Sequence, residues 1–221
     1  MSLVLLKCGG RVAAGTAGHV RALARDGAVC VVHGAGPQIT TEMERRGLEV
    51  RFVGGRRVTT AQGLAVVREA FETLNQRLCA AIGPLAIGMM GDELGLPALH
   101  VPELGLVGEP LPSAPPLVVA ALAEGLVPVI APLAAGPLNV NADDAAAALA
   151  VGLGADRIVF VSDVPGVLVE GSTASELGVD EVDELLDAGR FEGGIVPKLE
   201  AAVRAARLGV RAEIGETAVL P

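Results

Sequence analysis

The stretch Ala28-Val-Cys-Val-Val-His33-Gly-Ala-Gly-Pro37 decides the fold class. An unbroken Val-rich apolar run describes a strand buried on both faces, where a half-exposed strand would alternate. Glycines close the run, and Pro37, with its fixed φ, suits the first turn of a helix reaching about Arg46. The same unit of strand, glycine turn and helix recurs on either side. Upstream, Leu3–Leu6 is a short apolar strand broken by Gly9 and Gly10, and a helix is expected over Ala13–Asp26. Downstream, Leu48–Thr60 reads as a β-hairpin around Gly54 and Gly55, Ala61–Ile82 as a long amphipathic helix and Leu85–Met90 as a strand. Leu117–Glu124 follows as a helix and Val127–Ile130 as a strand, with Gly108–Pro116 a Pro-rich loop before them. Beyond Gly136 come an Ala-rich helix to Leu153, a strand over Arg157–Ser162, helices over Val182–Ala188 and Lys198–Leu208, and a final strand over Val210–Ile214. Buried strands alternating with helices predict an α/β fold, a mainly parallel sheet covered on both faces. Ligands of such sheets sit at the carboxyl ends of the strands, where Lys7, His33–Gly36 and Asp163–Gly166 fall.

Composition narrows the function. Apolar residues make up 51% of 221 residues, enough for a real core. A formal net charge of −9, with no cluster of cations, argues against a nucleic-acid partner. The apolar run Leu117–Leu138 is interrupted by Glu124, Gly125, Pro128 and Pro132, so it reads as core and not as a membrane span. The start of the chain carries no secretory signal pattern. Cys8, Cys30 and Cys79 match no metal spacing and suit a reducing cytoplasm. Of the 17 basic residues only Lys7 and Lys198 are lysines, and both stand next to glycine turns. Arginine does not replace lysine where a compact ammonium must approach a phosphate.

The motifs then fall into two chemical groups. Lys7-Cys-Gly9-Gly10 places a cation beside backbone that can approach a phosphate closely. It is neither a Walker A loop nor a dinucleotide fingerprint, and alone it reads equally as a strand-end turn. Gly34, Ala35 and Gly36 form a second strand-to-helix junction whose amides can bind an anion; His33 is expected to hydrogen-bond this loop. Asn139-Val-Asn141-Ala-Asp143 precedes the Ala-rich helix; capping accounts for one of these side chains but not for all three. Gly193-Gly194-Ile-Val-Pro-Lys198 brings the second lysine from another glycine turn. In the hairpin, Arg57 offers the planar fork that grips a carboxylate, while Arg56 faces the other way and is expected to be solvated.

In these motifs the chain resembles the amino acid kinase family, and within it the N-acetylglutamate kinases. The match runs in order through Lys7-x-Gly-Gly, His33-Gly-x-Gly-Pro-Gln, Gly-x-Arg57-Val-Thr, Leu104-Gly-x-Val-Gly, Asn139-Val-Asn-Ala-Asp143, Ser162-Asp-Val-x-Gly and Gly194-Ile-x-Pro-Lys198. The resemblance implies an open three-layer αβα sandwich, with a substrate-binding and dimerisation lobe over residues 1–135 and a nucleotide-binding lobe over 136–221. It makes Lys7 and Lys198 the cations on the transferring phosphoryl group and Asp143 the carboxylate that organises them. Ala35, Gly36, Arg57 and Asn139 would hold the substrate. Gly9, Gly10, Gly34, Ser162, Asp163, Val164, Gly166, Val167 and Gly194 would border the phosphates and nucleotide. ATP is the implied phosphoryl donor, with Mg²⁺ held mainly by its phosphates and no protein metal ligand. A cytoplasmic homodimer without arginine control is expected, since no extra N-terminal helix is present.

The chemistry agrees. A γ-carboxylate, ionised at neutral pH, attacks without a general base, and no His/Asp dyad is evident. Three departures from the family stand in the sequence: Ala35 where glycine is common, a shortened Gly91–Pro116 segment, and an abbreviated tail over Arg211–Pro221. The rival readings are a kinase of an aminoadipate derivative, one methylene longer, and a silent sensor that kept the fold. A dinucleotide-dependent oxidoreductase lacks its fingerprint.

Overall fold

The computed structural model describes residues 2–10, 13–162 and 164–221. Strand β1 (Leu3–Cys8) leads through α1 (Ala13–Asp26) to β2 (Ala28–His33) and α2 (Gly36–Arg45). A small hairpin, β3 (Phe52–Val53) with β4 (Arg56–Arg57), precedes α3 (Ala61–Ile82), which Thr60 caps by accepting the Gly63 N–H. Next come β5 (Ala86–Met90), β6 (Ala98–His100), a 3₁₀ turn at Pro102–Leu104, β7 (Val107–Pro110), α4 (Pro116–Ala123) and β8 (Val127–Ala131). Then follow β9 (Leu133–Ala134), β10 (Leu138–Val140), α5 (Ala142–Gly152) and β11 (Arg157–Phe160). The chain closes with β12 (Leu168–Val169), β13 (Ser172–Thr173), β14 (Glu176–Gly178), α6 (Val179–Asp187), α7 (Ile195–Arg207), β15 (Arg211–Ile214) and β16 (Thr217–Leu220).

Eight strands form one sheet in the order β14-β16-β15-β11-β1-β2-β8-β5. The six from β15 to β5 are parallel; β16 turns back antiparallel to β15, and β14 lies parallel to β16. Side chains alternate between the two faces. Leu5, Cys30, Val32, Ile130, Ile158 and Phe160 pack with α4, α5 and α7 on one face. Leu6, Cys8, Val29, Val31 and Val129 pack with α1 and α3 on the other. The result is the expected three-layer αβα sandwich. The parity fixes the site as well: Lys7 shares the α5 face with Leu5, level with Val32 on β2 and Phe160 on β11. From β1 the connections depart to β2 on one side and reach β11 on the other, so the carboxyl end of β1 is the switch point that such sheets use for ligands.

Several elements differ from the expectation. The hairpin expected over Leu48–Thr60 keeps only two residues per strand. A second sheet, β6-β7-β10-β9, was not anticipated; its strands are too short to show a period. The chain also does not end its pairing at Ile214, because Gly215 and Glu216 turn it into β16. The last helix begins at Ile195, three residues early, because proline is tolerated in a first turn and Pro197 does not delay it.

Leu5 is fully buried between the sheet and α5. Leu5→Ala should cost about 2–5 kcal/mol of unfolding free energy in urea titrations, since this close-packed layer cannot collapse around the lost atoms. A cost below about 1 kcal/mol would show the layer to be loosely packed.

Candidate active site

The site is built around the ion pair between β1 and α5. Lys7 Nζ lies 2.8 Å from Asp143 Oδ1, with both side chains less than a tenth exposed. Asp143 is the second residue of α5, and Asn141 caps that helix by accepting the N–H groups of Asp143 (2.8 Å) and Asp144 (3.3 Å). Acids in a first helical turn also meet the positive end of the helix dipole. Asn141 therefore fixes the backbone that aims Asp143 at Lys7.

Glycine turns bring backbone around this pair. Gly34 donates its N–H to Cys8 O at 2.9 Å, and a Cβ there would lie 3.4 Å from that of Ala142. The β2 turn is thus pressed against the start of α5. Ala35, where glycine is common in the family, has φ of −131°, so alanine sits there without strain; it is buried in a core cluster with Ile39 and Met43 of α2 and also lines the cleft. Gln38, from the same motif, donates to Gly10 O at 2.9 Å and ties the two turns together.

The hairpin brings Arg57 to the same cleft. Its guanidinium donates to Gly36 O (3.1 Å) and Thr40 Oγ1 (2.8 Å), reaches Met43 Sδ (3.5 Å) and lies 4.5 Å from the centre of the Phe52 ring. Burial lowers its pKa, yet an arginine remains charged. Thr59 links Arg57 to Asn139: its hydroxyl donates to Arg57 O at 2.8 Å and accepts from Asn139 Nδ2 at 3.0 Å. Asn139 belongs to β10, paired with both Val107 and Leu133, so it is a ladder residue and not a helix cap.

Lys7, Gly9, Gly10, Gly34, Ala35, Gly36, Arg57, Asn139, Asp143, Gly194 and Lys198 all line one cleft of about 470 Å³. Lys198 sits in the first turn of α7, half-buried, with Nζ donating to Gly194 O at 3.2 Å. Other candidates fall elsewhere. Ser162, Val164, Gly166 and Val167 follow β11 outside this cleft; Val167 is buried in the core and donates its N–H to Thr217 Oγ1. Asp163 lies outside the described residues. His33 does not bond the glycine loop. Parity turns it toward α3, where it meets Asn75 Nδ2 at 3.1 Å and Phe71 edge-on, fully buried. Arg56 is not freely solvated either; it lies 3.5 Å from both Asp144 and Glu109. Sequence reasoning passed over Gln38 and Thr59 although both stood inside quoted motifs, because their partners lie 28 and 80 residues away. Two amines and glycine amides at one end, with a guanidinium and an amide at the other, can hold two anions side by side.

Residues 2–215 match the amino acid kinase family. The chain is 38% identical to the acetylglutamate kinase of Pelotomaculum thermopropionicum, over 82% of this chain and 70% of that protein. It is 36% identical to the acetylglutamate kinase of Dinoroseobacter shibae, over 96% of this chain and 80% of that protein. The crystal structure of smu.665 from Streptococcus mutans superposes with a TM-score of 0.86 at 25% identity, over 99% of this chain and 98% of that one.

Two outcomes are expected of this framework. Thr59→Val orphans Asn139 Nδ2 in a buried place and should cost about 1–3 kcal/mol in denaturant titrations; no loss would mean the relay is slack. Burial pulls the His33 pKa from 6.5 to about 4, so the native state refuses a proton that the unfolded chain accepts. His33 therefore contributes stability that is full above pH 6.5 and lost as pH falls toward 4, roughly 3 kcal/mol at most. Urea midpoints measured across that window should fall less steeply in His33→Gln than in the native chain.

Proposed function

Since the chain belongs to the amino acid kinase family, we propose that it transfers the γ-phosphoryl group of ATP to the γ-carboxylate of N-acetyl-L-glutamate, a step of arginine biosynthesis. The observation that carries this reading is the sharing of one cleft by the Lys7–Asp143 pair and the Arg57–Asn139 wall. The relatives named acetylglutamate kinase support the choice of substrate.

Arg57 and Asn139 hold the acidic amino acid with its γ-carboxylate turned toward Lys7. That carboxylate is ionised at neutral pH, so its oxygen attacks the γ-phosphorus directly. The bond from phosphorus to the β-γ bridging oxygen breaks, ADP leaves with that oxygen, and an acyl phosphate forms. Charge on the equatorial phosphoryl oxygens meets Lys7, Lys198 and the amides of the Gly9–Gly10 turn; the side chains align and neutralise without accepting a proton. Asp143 keeps the Lys7 ammonium aimed. Among the described residues this donor set is amines, amides and one carboxylate already paired with Lys7, which suits anions; Mg²⁺ fits best on the nucleotide phosphates, where it would neutralise the leaving diphosphate.

The finer assignments belong to the same proposal. Residues 1–135 form the substrate lobe and 136–221 the nucleotide lobe, with Ser162, Asp163, Val164, Gly166, Val167 and Gly194 along the nucleotide. Among the described residues no helix is long and apolar enough to cross a membrane, and Cys8, Cys30 and Cys79 are free thiols, which suits the reducing cytoplasm. The first lobe exposes Leu85 and Ile87 on and beside the edge strand β5, with Leu117 and Val119 on α4, and these favour a homodimer.

The test is ADP release with hydroxylamine capture of the acyl phosphate, offering N-acetylglutamate, glutamate and α-aminoadipate in parallel. Turnover on N-acetylglutamate alone is expected; turnover on aminoadipate would move the substrate, and turnover on none would overturn the reaction. Lys7→Arg and Lys198→Arg should each lower kcat by about 100-fold or more at an unchanged unfolding midpoint. Near-native turnover in either variant removes that lysine from the phosphoryl site.

A further inference from the structure

Asp144, next to the Asp143 of the ion pair, is also buried, 8% exposed, yet it does not touch Lys7. Its carboxylate is bound instead by arginines from two different elements. Arg204 of α7 holds Oδ1, and Arg56 of β4 lies 3.5 Å from Oδ2. Each of these arginines is a near neighbour of a residue assigned to the reaction. Arg56 adjoins Arg57, and Arg204 lies on the same helix as Lys198, about 9 Å further along its axis. The hairpin and the helix also touch directly, since a Cβ at Gly55 would lie 3.8 Å from that of Pro197.

Stability is a weak explanation of this arrangement. Burial raises the Asp144 pKa, Asp143 and Glu200 add to the rise, and Arg204 and Arg56 oppose it. Attraction between buried ions is largely offset by the cost of taking them out of water. The arginine side chains are 23% and 44% exposed, so each is readily hydrated once released. An acid serving the helix dipole alone would not need burial between two cations.

We propose that Asp144 is a positioning residue, pinned between Arg56 and Arg204, that holds the Arg57 hairpin and the Lys198 helix at a fixed separation across the cleft. The bearing of that separation on turnover rests on the reaction proposed above; the clamp itself does not. The carboxylate belongs to α5, so one short helix start aims Asp143 at the phosphoryl site and Asp144 at the two elements that close over it.

The experiment compares the full-length native chain with Asp144→Asn, Arg204→Met and Arg204→Lys, by amide hydrogen exchange and by steady-state kinetics. In Asp144→Asn the amides of residues 51–58 should exchange about tenfold faster, while the global unfolding midpoint stays close to native. KM for N-acetylglutamate should rise about tenfold and kcat should fall, because Arg57 and Lys198 are both displaced. Arg204→Met should reproduce these effects and Arg204→Lys should recover most of them. Unchanged exchange over 51–58 in Asp144→Asn overturns the clamp, as does equal behaviour of the Met and Lys variants. A native chain that phosphorylates nothing overturns the reaction instead, and the exchange data still decide the clamp.

Discussion

A lysine ammonium buried at the end of a central strand is tolerable only if a carboxylate meets it, and that requirement organises the molecule. Lys7 is 5% exposed, and the desolvation of an unpaired charge there would cost several kcal/mol. Asp143 supplies the partner, but only because α5 starts where β1 ends. That start depends on the Asn141 cap and on β10 delivering the chain. The Ala-rich composition of α5 belongs to the same constraint. Ala145, Ala146, Ala147 and Ala150, all in the core cluster with Leu5, Val32 and Ile158, let the helix lie close on β1, β2 and β11, bringing its first turn within reach of a side chain projecting from the sheet. A pair that gains little for stability at such structural expense is best understood as retained for what the ammonium can touch.

The framework was legible because its signals are local. Val-rich runs with glycine ends gave the central strands, and strand parity alone could have placed Lys7 and His33 on opposite faces. The His33 expectation failed because it used loop proximity where parity was the stronger rule: one residue past Val32, the side chain must enter the α3 layer. The two lysines stood out through composition, as two survivors among many arginines, and the structure brings both to one cleft. What stayed hidden is long-range pairing. The β6-β7-β10-β9 sheet has strands of two to four residues, and Asn139 acquires its orientation from a threonine eighty positions away. No window of sequence contains that information.

Arg56 shows the same limit from the electrostatic side. Alternation along β4 correctly separates it from Arg57, but facing away from one partner does not mean facing water. The other side of this two-residue strand is roofed by α5 and α7, a relation set by topology and invisible to periodicity. Neighbouring arginines thus enter two different charge environments: Arg57 spends its donors on backbone and hydroxyl oxygens, and Arg56 approaches carboxylates. A net charge counts them alike.

The turn into the last strand shows how the segment after β11 is held in place. Ile214 pairs with Thr217 across a two-residue turn in which Gly215 adopts φ of +58°, and a Cβ there would strike Pro165 O at 2.2 Å. Glycine is therefore required on both conformational and steric grounds. The turn lies directly on the segment after β11: Glu216 donates its N–H to Pro165 O, and the fully buried Thr217 accepts from Val167 while donating to Ala174 O. One hydroxyl thus serves both as acceptor for one loop and donor to the next, which leaves little freedom at Gly166, where Thr217 and Thr173 already fill the space of a side chain. A strand that turns back at once brings its own donors and acceptors to the loop after β11, which is tied down at both Pro165 and Val167.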